Sequence, residues 1–173
     1  DGEEIPIPLQ GKVTEGKGWV LRNSKGQHTL TLDGLKAGSL ERKTPALEIQ
    51  GDLTLVLKKG TESELLSADA ALKKGAGTLT IRGEGSLRLQ GETALEGEWK
   101  EETLNQDEPS ALRIEGGKLV FTGEETALYE DTVELAGGEI QIQCLNGKGT
   151  GIRAHTLDDR HFSGSLEMEE SEE

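Results

Sequence analysis

The sequence is poor in residues that several common classes of protein require. Its single cysteine, Cys144, excludes a disulfide framework. Aromatic residues make up only 3% of the 173 residues, so aliphatic side chains must supply most of any core. No apolar run approaches the roughly 18–20 residues that a membrane-spanning helix needs. The composition therefore argues against disulfide scaffolds and membrane insertion.

Basic residues are scarce as well. Against 33 Asp and Glu stand 19 Lys and Arg, and the formal net charge is −14. Such a chain repels the phosphates of nucleic acids and anionic membranes, and a polyanionic ligand would need a cation between the two. We therefore expect a protein outside the cell or at the cell surface, with no nucleic-acid partner. The chain opens at Asp1 without a signal peptide, which predicts a mature or excised fragment.

A motif of one small and one aliphatic residue recurs along the chain, at steps of 25, 23, 17, 16 and 24 residues. Such a period is typical of repeat architectures. Glycines punctuate the segments between the motifs and supply the positive φ angles that tight turns need. The motif occurs at Ala46-Leu47, Ala71-Leu72, Ala94-Leu95, Ala111-Leu112, Ala127-Leu128 and Gly151-Ile152.

Apolar and polar residues alternate in segments such as 29–32, 53–57 and 78–81, which predicts strands with one buried side. A helix is an alternative only over 61–74, where the periodicity is imperfect. Short strands at this spacing fit a parallel β-solenoid or an antiparallel β-sandwich. The repeat, the Leu- and Ile-rich inward positions and the few aromatic rings favour the solenoid. We predict an all-β fold, a single-stranded right-handed parallel β-helix of seven or eight coils.

The segments 46–57 and 75–87 resemble a family of secreted and surface proteins of anaerobic bacteria. Members of this family are right-handed β-helix carbohydrate-binding proteins. The segments 29–35 and 117–123 resemble further coils of the same family, so that the likeness covers roughly residues 28 to 123. Characterised members are linked to polygalacturonate binding and calcium. The resemblance thus implies a β-helix that binds an acidic polysaccharide, with calcium as a cofactor.

The predicted solenoid is one domain over residues 1–168, in which 1–20 form an N-terminal cap. The prolines of Ile5-Pro6-Ile7-Pro8-Leu9 keep that segment extended, and it is expected to protect the edge of the first coil. Residues 169–173 are almost all Glu and are predicted to be an acidic tail or linker.

Four acidic residues on predicted turns are candidate calcium ligands, because calcium takes six to eight oxygen ligands. They are Asp107, Asp131, Asp158 and Asp159. Solvated turn residues are the alternative for all four. The histidines have no metal-binding spacing, so zinc is unsupported. Cys144 shares one side of a predicted strand with Ile140 and Ile142, which indicates a small buried residue rather than a nucleophile.

Sugars stack their C–H faces on aromatic rings, and few rings are present. Trp99, flanked by charged residues, and Tyr129 are the candidate ligand-binding residues. The leading functional hypothesis is a non-catalytic module that binds an acidic polysaccharide or a host or cell-surface glycan. One alternative is a structural stalk or adhesin segment. Another is a polysaccharide lyase or hydrolase that would use carboxylates with one of Arg82, Arg88, Arg113 and Arg153. Homo-oligomerisation is left open.

Overall fold

A computed structural model describes residues 13–98 and 110–170, and every regular element in these ranges is a β-strand. In chain order the strands are β1 (Val13–Gly16), β2 (Trp19–Ser24), β3 (Gln27–Leu32), β4 (Lys36–Gly38), β5 (Leu47–Ile49), β6 (Leu53–Leu57), β7 (Glu62–Leu66), β8 (Ala70–Lys74), β9 (Gly77–Gly83), β10 (Ser86–Glu96), β11 (Ser110–Ile114), β12 (Lys118–Tyr129), β13 (Thr132–Leu135), β14 (Glu139–Cys144), β15 (Thr150–Arg153), β16 (Thr156–Asp158) and β17 (Ser165–Glu170).

The strands wind into a parallel β-solenoid of about five turns with three sides. The first side is β3-β6-β9-β11-β13-β16, all parallel. The second side is β4-β7-β10-β12-β14-β17, and the third is β5-β8-β10-β12-β15. β10 and β12 belong to two sides because each bends at a glycine, Gly91 or Gly123. A Cβ at Gly91 would lie 2.3 Å from the Asp69 carbonyl oxygen, so only glycine permits the bend there.

The prediction of a β-helix is confirmed and the antiparallel sandwich is wrong for the coil. The helix considered for 61–74 is also wrong, because β7 and β8 occupy that segment. Seven or eight coils was too many. The first strands, β1 to β3, form an antiparallel meander instead of a coil. In addition, one coil is long, since Leu95 and its direct partner Leu128 lie 33 positions apart.

The same long coil explains the irregular 16- and 17-residue steps of the small-aliphatic motif. Ala111-Leu112 lies in β11 on the first side, whereas the other copies of the motif line the third side. There the aliphatic residues stack in one inward column, Leu47-Leu72-Leu95-Leu128-Ile152. Parallel in-register pairing places equivalent residues of successive coils over one another, so a repeated Leu fills the narrow core.

The core of the described coils is mostly aliphatic, as the sequence predicts. Leu55, Leu79 and Ile81 are fully buried, and Phe121 is the largest fully buried side chain among the described residues. Cys144 is a buried free cysteine at the end of β14, which confirms its predicted role. None of the described segments forms a helix long and apolar enough to cross a membrane. The division into a cap, a domain and an acidic tail stays a prediction.

Candidate functional site

Four of the six residues predicted to bind a ligand or a metal lie in the described part of the chain. Trp99 and Asp107 fall outside it. Tyr129 ends β12 on the third side, and Asp131 follows at the corner that leads to the first side. Asp158 ends β16, and Asp159 is the exposed residue after it.

The three described aspartates do not converge. The Asp131 carboxylate contacts the imidazole Nδ1 of His155, and Asp158 accepts hydrogen bonds from Arg160 at 2.8 and 3.0 Å. Within residues 13–98 and 110–170, no group of three or more His, Cys, Asp or Glu side chains is arranged to hold a metal ion. Calcium binding by Asp107, Asp131, Asp158 and Asp159 stays a prediction.

The contact with Arg160 changes the pKa of Asp158. Hydrogen bonds from the Arg160 side chain, and then from its backbone, lower the pKa of Asp158 from 3.8 to about 2. Because the folded-state pKa lies below the unfolded one, this contact stabilises the fold above about pH 3.8. The contribution is lost as the pH falls toward 2.

We therefore predict that Arg160→Ala raises the pKa of Asp158 toward 3.8. The measurement is a carboxyl-detected NMR titration of the wild type and the variant. Lys118→Ala, a change of one exposed cation on the second side, should leave the Asp158 titration unchanged. An Asp158 pKa that stays near 2 in Arg160→Ala would show that another group holds the carboxylate in its ionised form.

Tyr129 lines a depression of about 460 Å³ at the corner between the third and first sides. The depression crosses four coils, which at about 4.8 Å between strands is a length of about 14 Å. It is lined by Gln50, Lys73, Lys74, Gly75, Glu96, Gly97, Glu98 and Tyr129. It therefore runs parallel to the solenoid axis and is longer than a single sugar ring.

Outward-pointing residues of the third side form a column beside this depression. Strand register places them in the order Glu48-Lys73-Glu96-Tyr129-Arg153, one per coil. The Arg153 guanidinium lies over the Tyr129 ring, 5.7 Å from its centroid. Tyr129 is half-buried, whereas Lys73 and Arg153 are exposed. The column thus presents one aromatic ring among side chains of both charge signs.

A buried ion pair lies beneath the depression, and one of its members, Lys74, is a lining residue. The Lys74 ammonium lies 2.8 Å from Glu130 Oε2, and both side chains are fully buried. Lys74 also donates to the Ser110 hydroxyl at 2.9 Å, and that hydroxyl donates to Glu130 Oε1 at 2.6 Å. Among the described residues Oε2 accepts no hydrogen bond, so its contact with the ammonium is electrostatic.

The same network holds the chain on both sides of residues 99–109. Before that segment, Gly97 packs against the Glu130 carboxylate, and a Cβ on Gly97 would lie 2.2 Å from Oε2. Gly97 N–H also donates to the Tyr129 carbonyl. After the segment, Ser110 bonds to both members of the ion pair. The ion pair therefore fixes the backbone next to Glu96, Glu98 and Tyr129.

Sequence reasoning missed Lys74 and Glu130. A lysine next to another lysine and a glutamate next to a tyrosine look like surface residues in an acidic chain. The only available signal was position, because both follow the inward Leu of the repeated motif by two residues, in Leu72-Lys73-Lys74 and Leu128-Tyr129-Glu130. In a strand that spacing returns a side chain to the buried side.

A second depression, of about 600 Å³, lies at the corner between the first and second sides. Glycines form much of its lining, with Ser86, Lys118 and Glu139 beside them. Its glycines are explained by close stacking of the coils, since a Cβ on Gly164 would lie 1.9 Å from the Gly138 carbonyl oxygen. The lining residues that belong to 13–98 and 110–170 include no aromatic ring, so we place the candidate binding site at Tyr129.

Three of the four arginines weighed for catalysis lie on the first or second side, whereas Arg153 lies over the Tyr129 ring at the site itself. Arg113 bonds to Glu134 and Glu115, and the Glu134 hydrogen bond raises its pKa above the usual value. A guanidinium held protonated in this way is unsuited to act as a base. Arg88 bonds to Gln90 on the second side, and Arg82 is exposed on the first side.

Residues 7–171 match the model of a family described as carbohydrate-binding domain-containing protein. No curated protein and no solved structure matches the chain.

Proposed function

The chain belongs to the family of carbohydrate-binding domain-containing proteins, and from that membership we propose that it is a non-catalytic module that binds a polysaccharide in the depression around Tyr129. Membership indicates the carbohydrate-binding role. The choice of site is supported by one observation above the others, namely that the depression holds a half-exposed aromatic ring amid polar side chains.

The lining suits a sugar chemically. The apolar C–H face of a pyranose packs on an aromatic ring, and its hydroxyl groups need donors and acceptors around it. Glu96 and Glu98 offer acceptors, Lys73 offers a donor, and the Gln50 amide offers both. The length of the depression along the axis favours a polysaccharide over a single sugar.

A non-catalytic role is supported by the state of the charged groups. Glu130 and Lys74 form an ion pair in which both side chains are fully buried. General acid–base chemistry needs a group that reaches the substrate, so this pair is unsuited to it, and we assign Glu96 and Glu98, which line the depression, to binding of sugar hydroxyls.

The finer proposal is an acidic polysaccharide bound with the help of calcium. Among the described lining residues, Glu96 and Glu98 outnumber the one exposed cation, Lys73, and the whole chain carries −14. A uronic acid would be repelled from such a surface unless a divalent cation bridged the carboxylates. The resemblance to calcium-linked, polygalacturonate-binding proteins supports the same ligand.

Affinity electrophoresis tests this proposal directly. The protein is run in gels that contain polygalacturonate, with calcium and then with EDTA, and in gels that contain neutral β-glucan. Retardation by polygalacturonate only with calcium is the expected result. Retardation only by the neutral polymer would support carbohydrate binding but contradict the proposals of an acidic ligand and of calcium. No retardation in any gel would count against the proposed ligand class.

We also propose that the protein acts outside the cell or at the surface of a bacterial cell. The acidic composition and the resemblance to surface proteins support this location. Labelling of intact producing cells with a membrane-impermeant biotin reagent tests it. Labelling only after lysis would contradict it.

A stalk or adhesin segment is a second candidate, and the last coil favours it. Leu157 and Met168 continue inward columns of the first and second sides, yet they are 48% and 55% exposed in the described structure. Uncovered inward residues at one end of a solenoid suit end-on contact with another protein unit. Analytical ultracentrifugation that shows a monomer at all concentrations would contradict end-on self-assembly of this protein.

A further inference from the structure

The Tyr129 ring has different neighbours on its two sides along the solenoid axis. Register pairs Tyr129 with Glu96 in the preceding coil and with Arg153 in the following coil. Side chains of adjacent coils in one column are separated by about 4.8 Å, close enough to touch. Any ligand that stacks on this ring must therefore approach on the side of Glu96 or on the side of Arg153.

Arg153 occupies one of these approaches. Its guanidinium carbon lies over the ring, 5.7 Å from the centroid, within the range of a cation–π contact. The backbone of Arg153 is held by the preceding coil, because the Arg153 carbonyl accepts a hydrogen bond from Glu130 N–H at 3.1 Å. The preceding residue, Ile152, packs against the core. The guanidinium thus projects from an anchored strand.

The depression extends from Tyr129 toward the preceding coils. Its lining includes Glu96, Lys73 and Gln50 from those coils, whereas Arg153 is not among its lining residues. Tyr129 and the polar side chains that would bind sugar hydroxyls therefore line the same depression, and Arg153 lies at its end.

We infer that Arg153 is a positioning residue of the carbohydrate site, a role that rests on the function proposed above. It covers the ring of Tyr129 on the side of the last coils and holds the ring at the edge of the depression. A sugar packs on the ring from the depression, and the polysaccharide extends from Tyr129 toward Lys73 and Gln50. The site is therefore closed at its Arg153 end.

The single tyrosine of the chain makes this inference directly observable. With ring-13C-labelled tyrosine, every tyrosine signal in an NMR spectrum belongs to Tyr129. The wild type, Arg153→Ala and Arg153→Lys are compared without ligand and then titrated with hexagalacturonate plus calcium and with cellohexaose. Arg82→Ala, which removes an exposed arginine of the first side, is the matched control.

Without ligand, we expect Arg153→Ala to shift the ring signals, Arg153→Lys to shift them less, and Arg82→Ala to leave them in place. With the oligosaccharide that binds, we expect the Kd of Arg153→Ala to rise about two- to fivefold, the range that a partly exposed cation–π contact supports. A purely structural role would change the unfolding midpoint without this graded shift of the ring signals.

Two failures are distinguishable. If ring signals of the wild type respond to the sugar but are the same in Arg153→Ala and wild type before titration, Arg153 does not position the ring and the inference is overturned. If the sugar moves no ring signal in the wild type, the proposed site at Tyr129 is itself wrong. In that case the role of Arg153 in carbohydrate binding is contradicted as well.

Discussion

Replacing Lys74 by Met is expected to lower the free energy of unfolding by about 3–5 kcal/mol, because the variant leaves the Glu130 carboxylate buried without a counter-charge. Both side chains are fully buried in the native protein, and the ammonium also bonds to Ser110 and to the carbonyls of Gly75 and Gly77. For a chain of this length the loss corresponds to a melting temperature lower by about 6–20 °C. Urea denaturation at pH 7 measures the effect.

An exposed ion pair provides the control. Lys59 and Glu84 lie 3.6 Å apart with side chains 82% and 72% exposed, so Lys59→Met should cause little measurable change. If Lys74→Met cost no more than Lys59→Met, the buried pair would have no special role in stability.

A double variant separates the loss of the pair from the burial of a lone charge. Removing both charges, as in Lys74→Met with Glu130→Leu, eliminates the unpaired carboxylate and should recover a large part of the lost stability. If the double variant were as unstable as the sum of the two single variants, the hydrogen bonds of the network would matter more than its charges.

Replacing Tyr129 by Ala is expected to weaken polysaccharide binding about 10- to 100-fold, because the variant removes the only aromatic ring among the described lining residues of the depression. Tyr129→Phe keeps the ring and should retain most of the affinity. The measurement is the Kd from isothermal titration with the polymer that retards the protein in the gels.

The fold of each variant needs its own check, because Tyr129 lies next to Glu130 and its carbonyl accepts from Gly97 N–H. Unfolding midpoints of Tyr129→Ala and Leu157→Ala should both stay near the wild-type value, and only Tyr129→Ala should lose affinity. Wild-type affinity in a folded Tyr129→Ala would place the binding surface elsewhere, with Trp99 as the next residue to test.

The fold could be predicted from the sequence because the patterns that produce it are local and repeat along the chain. Leu or Ile alternates with Thr or Val in 29–32, 53–57 and 78–81. This pattern defines strands with one buried side, and glycines mark the joins. In-register stacking then requires that equivalent positions repeat, and the small-aliphatic motif is that repeat. The number of coils was misjudged because nothing local distinguishes an antiparallel meander from a coil, or a long coil from two short ones.

The candidate site could be predicted from the sequence only in part. Tyr129 could be chosen because rings are rare in this chain and sugars use them. Its partners depend on register between strands far apart in sequence. Arg153 follows Tyr129 by 24 positions, Lys74 precedes Ser110 by 36, and no short motif links them. The aspartates were grouped as calcium ligands by residue type and by their position on predicted turns, whereas the fold directs Asp131 to His155 and Asp158 to Arg160.

The sequence by itself determined an acidic, all-β, aliphatic-cored solenoid, because hydrophobic period and glycine spacing act within a few residues of the chain. The tertiary structure alone decided which polar side chains meet. Stacking of the coils aligns Lys73, Glu96, Tyr129 and Arg153 into one column, and the bend from the third to the first side buries Lys74 against Glu130. Two side chains of different coils meet only if all the turns between them bring their strands into the right register. That register is set by the winding of the whole chain and cannot be read from a short segment.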